Sequence, residues 1–364
     1  MVGYTQGSLY AKNAGKTDVF AAKYDSAGRQ VWARQMGAIG RDFAYGGCLD
    51  DEGNLYIVGQ TDGNLYGRVW GQEGRGHYDA FVVKLSSTGS KIWARQFGAV
   101  DKSNDRATGV TTDARGDVVV AGYTAGYLFG RASNTKRAFR DNGFVVKYTS
   151  AGALVWAHQF AGEDGILNAV AVDARRSIYV CGIAQTSGND QARLSKLRPD
   201  GVLIWQRLVG GNHSDAARGV CVDPRGNSYI VGYFGLSDLG VALCGFVAKY
   251  DSSGRQVRLT RLGSTPSTAV YGCSLDANGN LYVVGETNEA LFGASSGHTD
   301  AFAAQYDPNG VLLWSTQFGT RQADSLQDVA IGQFGVVMAC GTTMGDLYGK
   351  NAGESDVFVR QLRP

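Results

Sequence analysis

Between Tyr271 and Gly319 the chain lays down four short apolar runs, YGCSLD, NLYVVGET, DAFAAQYD and VLLWSTQFG, separated by turns rich in Gly, Asn, Asp and Pro. Each run is rich in β-branched and aromatic residues, and none is long enough for a helix, so the pattern predicts four antiparallel strands, A to D. The same unit recurs along the chain. A sheet of this size cannot bury both faces alone, and stacking copies solves that problem, so the predicted fold is all-β, a β-propeller of about seven four-stranded blades.

In order, the blades are expected at about 1–37, 42–98, 105–160, 168–210, 215–263, 268–319 and 325–364, together forming one domain. The first opens inside a strand B (MVGYT) and has no strand A; the last stops after strand C (DVFVRQL) and has no strand D. Both terminal blades are therefore expected to be incomplete, as in a piece of a longer chain or larger assembly. The fourth blade is the most degenerate, with Arg193 in place of the Phe of strand C, and in the fifth Arg258 stands where strand D elsewhere carries Trp.

Composition narrows the functional classes. Glycine makes up 52 of 364 residues and proline only 5, so the turns are built from Gly, Asn and Asp. A formal charge of +2, from 35 basic and 33 acidic residues, gives no field that favours nucleic acid or an anionic membrane. No run of about 18 apolar residues predicts a membrane span, and the first residues show no signal-peptide pattern. Cys48, Cys181, Cys221, Cys244, Cys273 and Cys340 lack disulfide-scaffold or C-x-x-C spacing and are expected to be free thiols.

The consensus D-x-A-x-G-x-x-x-D-x-x-G-N-x-Y-V-x-G-x-T, D-x-F-V-x-K-Y, G-x-x-x-W-A-R-Q-F-G resembles the bacterial beta-propeller repeat of SBBP type, phased like the NHL repeat. The likeness is strongest in the second, third and sixth blades. It implies an extracellular or cell-surface setting and a binding or scaffolding role, and it supplies no active site.

Residues that recur in every blade serve the fold before they serve a ligand. Trp32, Trp93, Trp156, Trp205 and Trp314 share one strand D position and are expected to wedge against the neighbouring blade. Asp50, Asp113, Asp173, Asp223 and Asp276 are expected to cap the A-to-B turn, and Asp18, Asp79, Asp300 and Asp356 the start of strand C. Asp42, Asp105, Asp215 and Asp324 open strand A. If strand A is innermost, they would stand at one channel mouth and could hold a cation such as Ca2+ through oxygen ligands, although each could equally cap its own turn.

The A-to-B and C-to-D turns are short and uniform, whereas the B-to-C loops vary, so the face carrying those loops is the expected binding face. Its singular residues are Trp70, Arg75 and His77 in the second blade and Arg137 and Arg140 in the third. No zinc spacing, phosphate loop or nucleophile elbow is present, and no catalytic or cofactor-binding residue is assigned. The sequence reads best as a non-enzymatic interaction or scaffold module that binds a protein or glycan. The alternative is a propeller enzyme, a lyase or glycosidase acting on polysaccharide, which would need Glu163, Glu289 or Glu354 to converge with a histidine.

Overall fold

A computed structural model describes the chain except for residues 67–76, 100–102, 129–140, 187–188, 212, 237–242, 264–266, 333–334 and 364 and the side chains of 161–164. It is an all-β protein of seven antiparallel sheets, the blades of a β-propeller, with no α-helix among the described residues. The first sheet has three strands, Val2–Thr5, Asp18–Tyr24 and Gln30–Met36. The second has four, Asp42–Leu49, Leu55–Thr61, Asp79–Leu85 and Lys91–Phe97. Four-stranded sheets then begin at Asp105, Leu167, Ala216 and Thr268, and a last three-stranded sheet comprises Asp324–Ile331, Val337–Thr343 and Asp356–Leu362. The first blade thus lacks strand A and the last lacks strand D, as the sequence predicts.

By internal packing the chain divides into two compact units, Met1–Val180 with Leu197–Leu203, and Cys181–Lys196 with Ile204–Pro364. In the first unit, strand A of the second blade packs on strand A of the third, which packs on that of the fourth. In the second, the same contact runs from the fifth blade to the sixth and the seventh. Apolar layers fill these junctions. One is formed by Tyr56, Val58, Val82, Trp93, Phe97, Val120, Phe144 and Val146, another by Val231, Val270, Val283 and Phe302.

Two features of the consensus follow from backbone geometry. Strand A carries a β-bulge after its third residue, between Ala44 and Gly46, Ala107 and Gly109, and Val270 and Gly272. The bulge brings the carbonyl of Phe43 or Arg106 over the strand B glycine, so that a Cβ on Gly59 or Gly122 would lie 1.8 or 2.0 Å from it. Only glycine fits there. The expected turn caps are present: Asp50 Oδ1 accepts from the amides of Glu52 and Asn54, and Asp113, Asp173, Asp223 and Asp276 repeat the arrangement. In the fourth blade Arg176 takes the turn position that is glycine elsewhere, at φ 66°, and its guanidinium pairs with the buried Asp113, which also holds Lys147 at 2.7 Å.

The strand D tryptophans join blades by a polar contact as well as by packing. Trp32, Trp93 and Trp156 each donate Nε1–H to a carbonyl in the next C-to-D turn, that of Ser87, Ser150 and Pro199, at 2.9 to 3.0 Å. Trp205 reaches Ser252 in the same way at 3.4 Å.

Candidate functional site

The variable loops are built on a fixed root. In the second blade the buried Gln96, in strand D, accepts from the amides of Leu65 and Tyr66 at 3.2 and 3.3 Å and donates to the Gly63 carbonyl and to Asp79 Oδ2, both at 2.9 Å. One side chain therefore holds both the start of the B-to-C loop and the carboxylate that opens strand C. Gln35 and Gln317 make the equivalent four contacts, and Gln159 binds the Leu128 amide and the Gly126 carbonyl. The fourth and fifth blades have Leu208 and Arg261 at this position, and their loops are the ones whose sequences depart most from the repeat.

The B-to-C and D-to-A loops emerge on one face. The Asp42, Asp105 and Asp324 amides donate to the carbonyls of Thr17, Tyr78 and Thr299, the residues that end the neighbouring B-to-C loops. This contact also fixes the strand A aspartates. Asp42, Asp105 and Asp215 are buried, and each accepts at 2.7 Å from an amide of its own D-to-A loop, that of Ala38, Ala99 and Gly211; Asp324 is held by Thr320. Burial pushes the Asp42 carboxyl up to about 6. Among the described residues, no group of three or more His, Cys, Asp or Glu side chains is placed to hold a metal ion.

Of the residues assigned to the loop face, Trp70, Arg75, Arg137 and Arg140 lie outside the described residues, and His77 is exposed. At the roots of these two loops the structure brings together an aromatic cluster. Tyr4 of the first blade meets Phe43 edge to face, with ring centroids 4.9 Å apart. Phe43 lies parallel to Tyr45 at 6.2 Å and touches Tyr78 at 6.1 Å. Arg106, from strand A of the third blade, lies over Tyr45 at 4.7 Å and Tyr123 at 5.4 Å and donates to Gln60 Oε1 at 2.6 Å.

Tyr4 and Tyr45 remain 49% and 37% exposed, a large share for rings gathered into one patch. Burial of the rest of the ring raises the Tyr45 phenol to about 12, so it stays a neutral donor and acceptor at physiological pH. Tyr78 is next to His77 in the chain and ends the second-blade loop. Asp141, which ends the third-blade loop, has its carboxyl raised by burial and pulled back by the Arg106 charge. The platform can therefore stack flat groups and donate from a guanidinium whose position Gln60 fixes.

Two of the acids named for the enzymatic alternative are described. Glu289 accepts from Thr268 at 2.9 Å, Glu354 is exposed at a loop end, and the Glu163 side chain lies outside the described residues.

Sequence comparison finds a relative in the regulatory protein FlaEY of Caulobacter vibrioides, 24% identical over 306 residues. The match covers 82% of this chain, which spans only 29% of the relative's length. Among solved structures, the WD40 domain of Pan2 from Neurospora crassa superposes with a TM-score of 0.53 at 11% identity, covering 89% of this chain and 81% of the domain. A protein of unknown function from Dyadobacter fermentans gives 0.52 at 12% identity, covering 87% and 93%. At these identities the likeness shows the fold alone. Residues 31–67 match the SBBP beta-propeller repeat, and the strand pattern recurs from blade to blade, so this chain is a β-propeller that contains that repeat.

Proposed function

We propose that the chain is a non-enzymatic interaction module and that it binds a glycan or protein partner through the face carrying the B-to-C loops. The observation that carries this reading is the partly exposed platform of Tyr4, Phe43, Tyr45, Tyr78 and Arg106 at the roots of the second- and third-blade loops. Aromatic rings and arginine are the groups that dominate binding energy at such surfaces, because they bury large areas at little conformational cost. The glutamine clamps support the same reading: they hold the loop roots still while loop sequence varies, which is how a rigid scaffold presents adaptable contacts. The likeness to a protein described as regulatory is in keeping with a role exerted by binding.

The test is a screen of the full chain against a glycan array and a peptide library, repeated with Tyr45→Ala and Trp70→Ala. Loss of roughly tenfold or more in affinity in either variant, with folding unchanged, supports the assignment. A ligand retrieved in the screen that both variants bind as the parent does refutes it.

A further inference from the structure

The seventh blade ends its sheet at strand C, Asp356–Leu362, whose outer edge has no partner strand among the described residues. Val357, Val359 and Gln361 on this strand are exposed, whereas their counterparts in the second blade, Ala80, Val82 and Lys84, are buried. The loop root beside it nevertheless keeps the form it has in complete blades. Tyr348 meets Phe358 edge to face with ring centroids 5.7 Å apart, as Tyr66 meets Phe81 at 5.6 Å.

In the second and sixth blades the strand D glutamine stands opposite the strand C phenylalanine and fills a socket of four groups: two loop amides, a loop carbonyl and the strand C aspartate. The seventh blade has all four groups and no glutamine. The amides of Leu347 and Tyr348 donate to no described residue, and the Gly345 carbonyl takes only the Thr343 hydroxyl, at 3.2 Å. Asp356 Oδ2 accepts from the Ala352 amide at 2.9 Å, as Asp300 Oδ2 accepts from the Ser296 amide at 2.9 Å while it also binds Gln317.

We propose that this edge is an acceptor for a β-strand of a partner polypeptide carrying the pattern W-x-x-Q-F, added antiparallel with its glutamine opposite Phe358. An open edge supplies main-chain hydrogen bonds to any extended segment, and the socket selects the segment and its register, because a primary amide alone offers both acceptor and donors to those four groups. In that register the tryptophan stands opposite Gln361, as Trp314 stands opposite Gln305, and the phenylalanine opposite Val357, as Phe97 stands opposite Ala80. Strands of this pattern within the chain, such as Lys91–Phe97 and Leu312–Phe318, are paired in their own sheets, so a second folded copy has none of them to offer. The site lies on a sheet edge and does not rest on the aromatic platform proposed above.

The test is a calorimetric titration of the full chain with the peptide GSKIWARQFG, the sequence of residues 89–98, and hydrogen-exchange mass spectrometry locates the bound peptide. Saturable one-to-one binding is expected, with exchange slowed over residues 345–349 and 356–362. The same peptide carrying Gln96→Leu is expected to bind at least about tenfold more weakly, because the loop amides and the Asp356 carboxylate are then covered without a partner. That change is made in the peptide, so a loss of binding cannot come from misfolding of the chain. Tyr45→Ala is expected to bind the peptide as the parent does. The proposal is overturned if the peptide does not bind, if the Gln96→Leu peptide binds equally well, or if protection falls elsewhere. It is also overturned if the chain alone sediments as a dimer in which residues 356–362 are already protected.

Discussion

Replacing Gln96 by leucine separates the clamp from the sheet that carries it. The side chain is 2% exposed, so leucine keeps the volume and removes four hydrogen bonds at once: two from loop amides, one to the Gly63 carbonyl and one to the Asp79 carboxylate. Each buried polar group left without a partner costs about 1 to 3 kcal/mol. The loop amides and the Gly63 carbonyl can recover part of that by opening to water, so the expected loss of global stability is about 3 kcal/mol. The local effect is expected to be larger. Amide hydrogen exchange at Leu65 and Tyr66 should accelerate at least about a hundredfold, whereas Val82 and Val83 in strand C keep their protection except for the global loss. Urea unfolding gives the first quantity and exchange mass spectrometry the second. A global change below about 0.5 kcal/mol with unchanged exchange at Leu65 would refute the clamp.

Three further outcomes follow from the same geometry. Trp93→Ala removes a ring that is 9% exposed and its bond to the Ser150 carbonyl, and is expected to cost about 3 to 5 kcal/mol in denaturant unfolding while leaving the loop face competent. Because Asp42 titrates near 6 folded and near 3.8 unfolded, the folded chain binds more protons between those values. Its contribution is therefore fully present below about pH 4 and lost as pH rises through 6, by up to about 3 kcal/mol; Asp42→Asn should flatten that part of the stability profile and raise stability at pH 8. All six cysteines are free in the structure, and titration of denatured, unreduced protein is expected to return six thiols.

What could be read in the sequence divides along one physical line. Strands, turn caps and tryptophan wedges are legible because they depend on residues near in sequence or on periodicity: Asp50 bonds amides two and four residues on, and the indoles repeat at one position. The clamp was visible as a letter of the motif, but its partners are backbone groups 30 and 31 residues away, which no local pattern identifies. The platform is harder still, since Tyr4, Phe43, Tyr78 and Arg106 come from three blades and each looks like ordinary strand alternation or loop decoration. The four strand A aspartates are legible as a repeated position, and in Asp42, Asp105 and Asp215 one carboxylate oxygen takes an amide of its own D-to-A loop, a contact four to six residues away in the chain.

The central claim is that the loop face binds a partner through its aromatic platform, and affinity measured on Tyr45→Ala tests it most directly. Tyr45 is a contact in that account and not a wedge. For the ligand retrieved by the screen, calorimetry should show binding weakened by roughly ten- to thirtyfold with thermal stability close to the parent's. Undiminished affinity in Tyr45→Ala, or a loss that only tracks unfolding, would contradict the account.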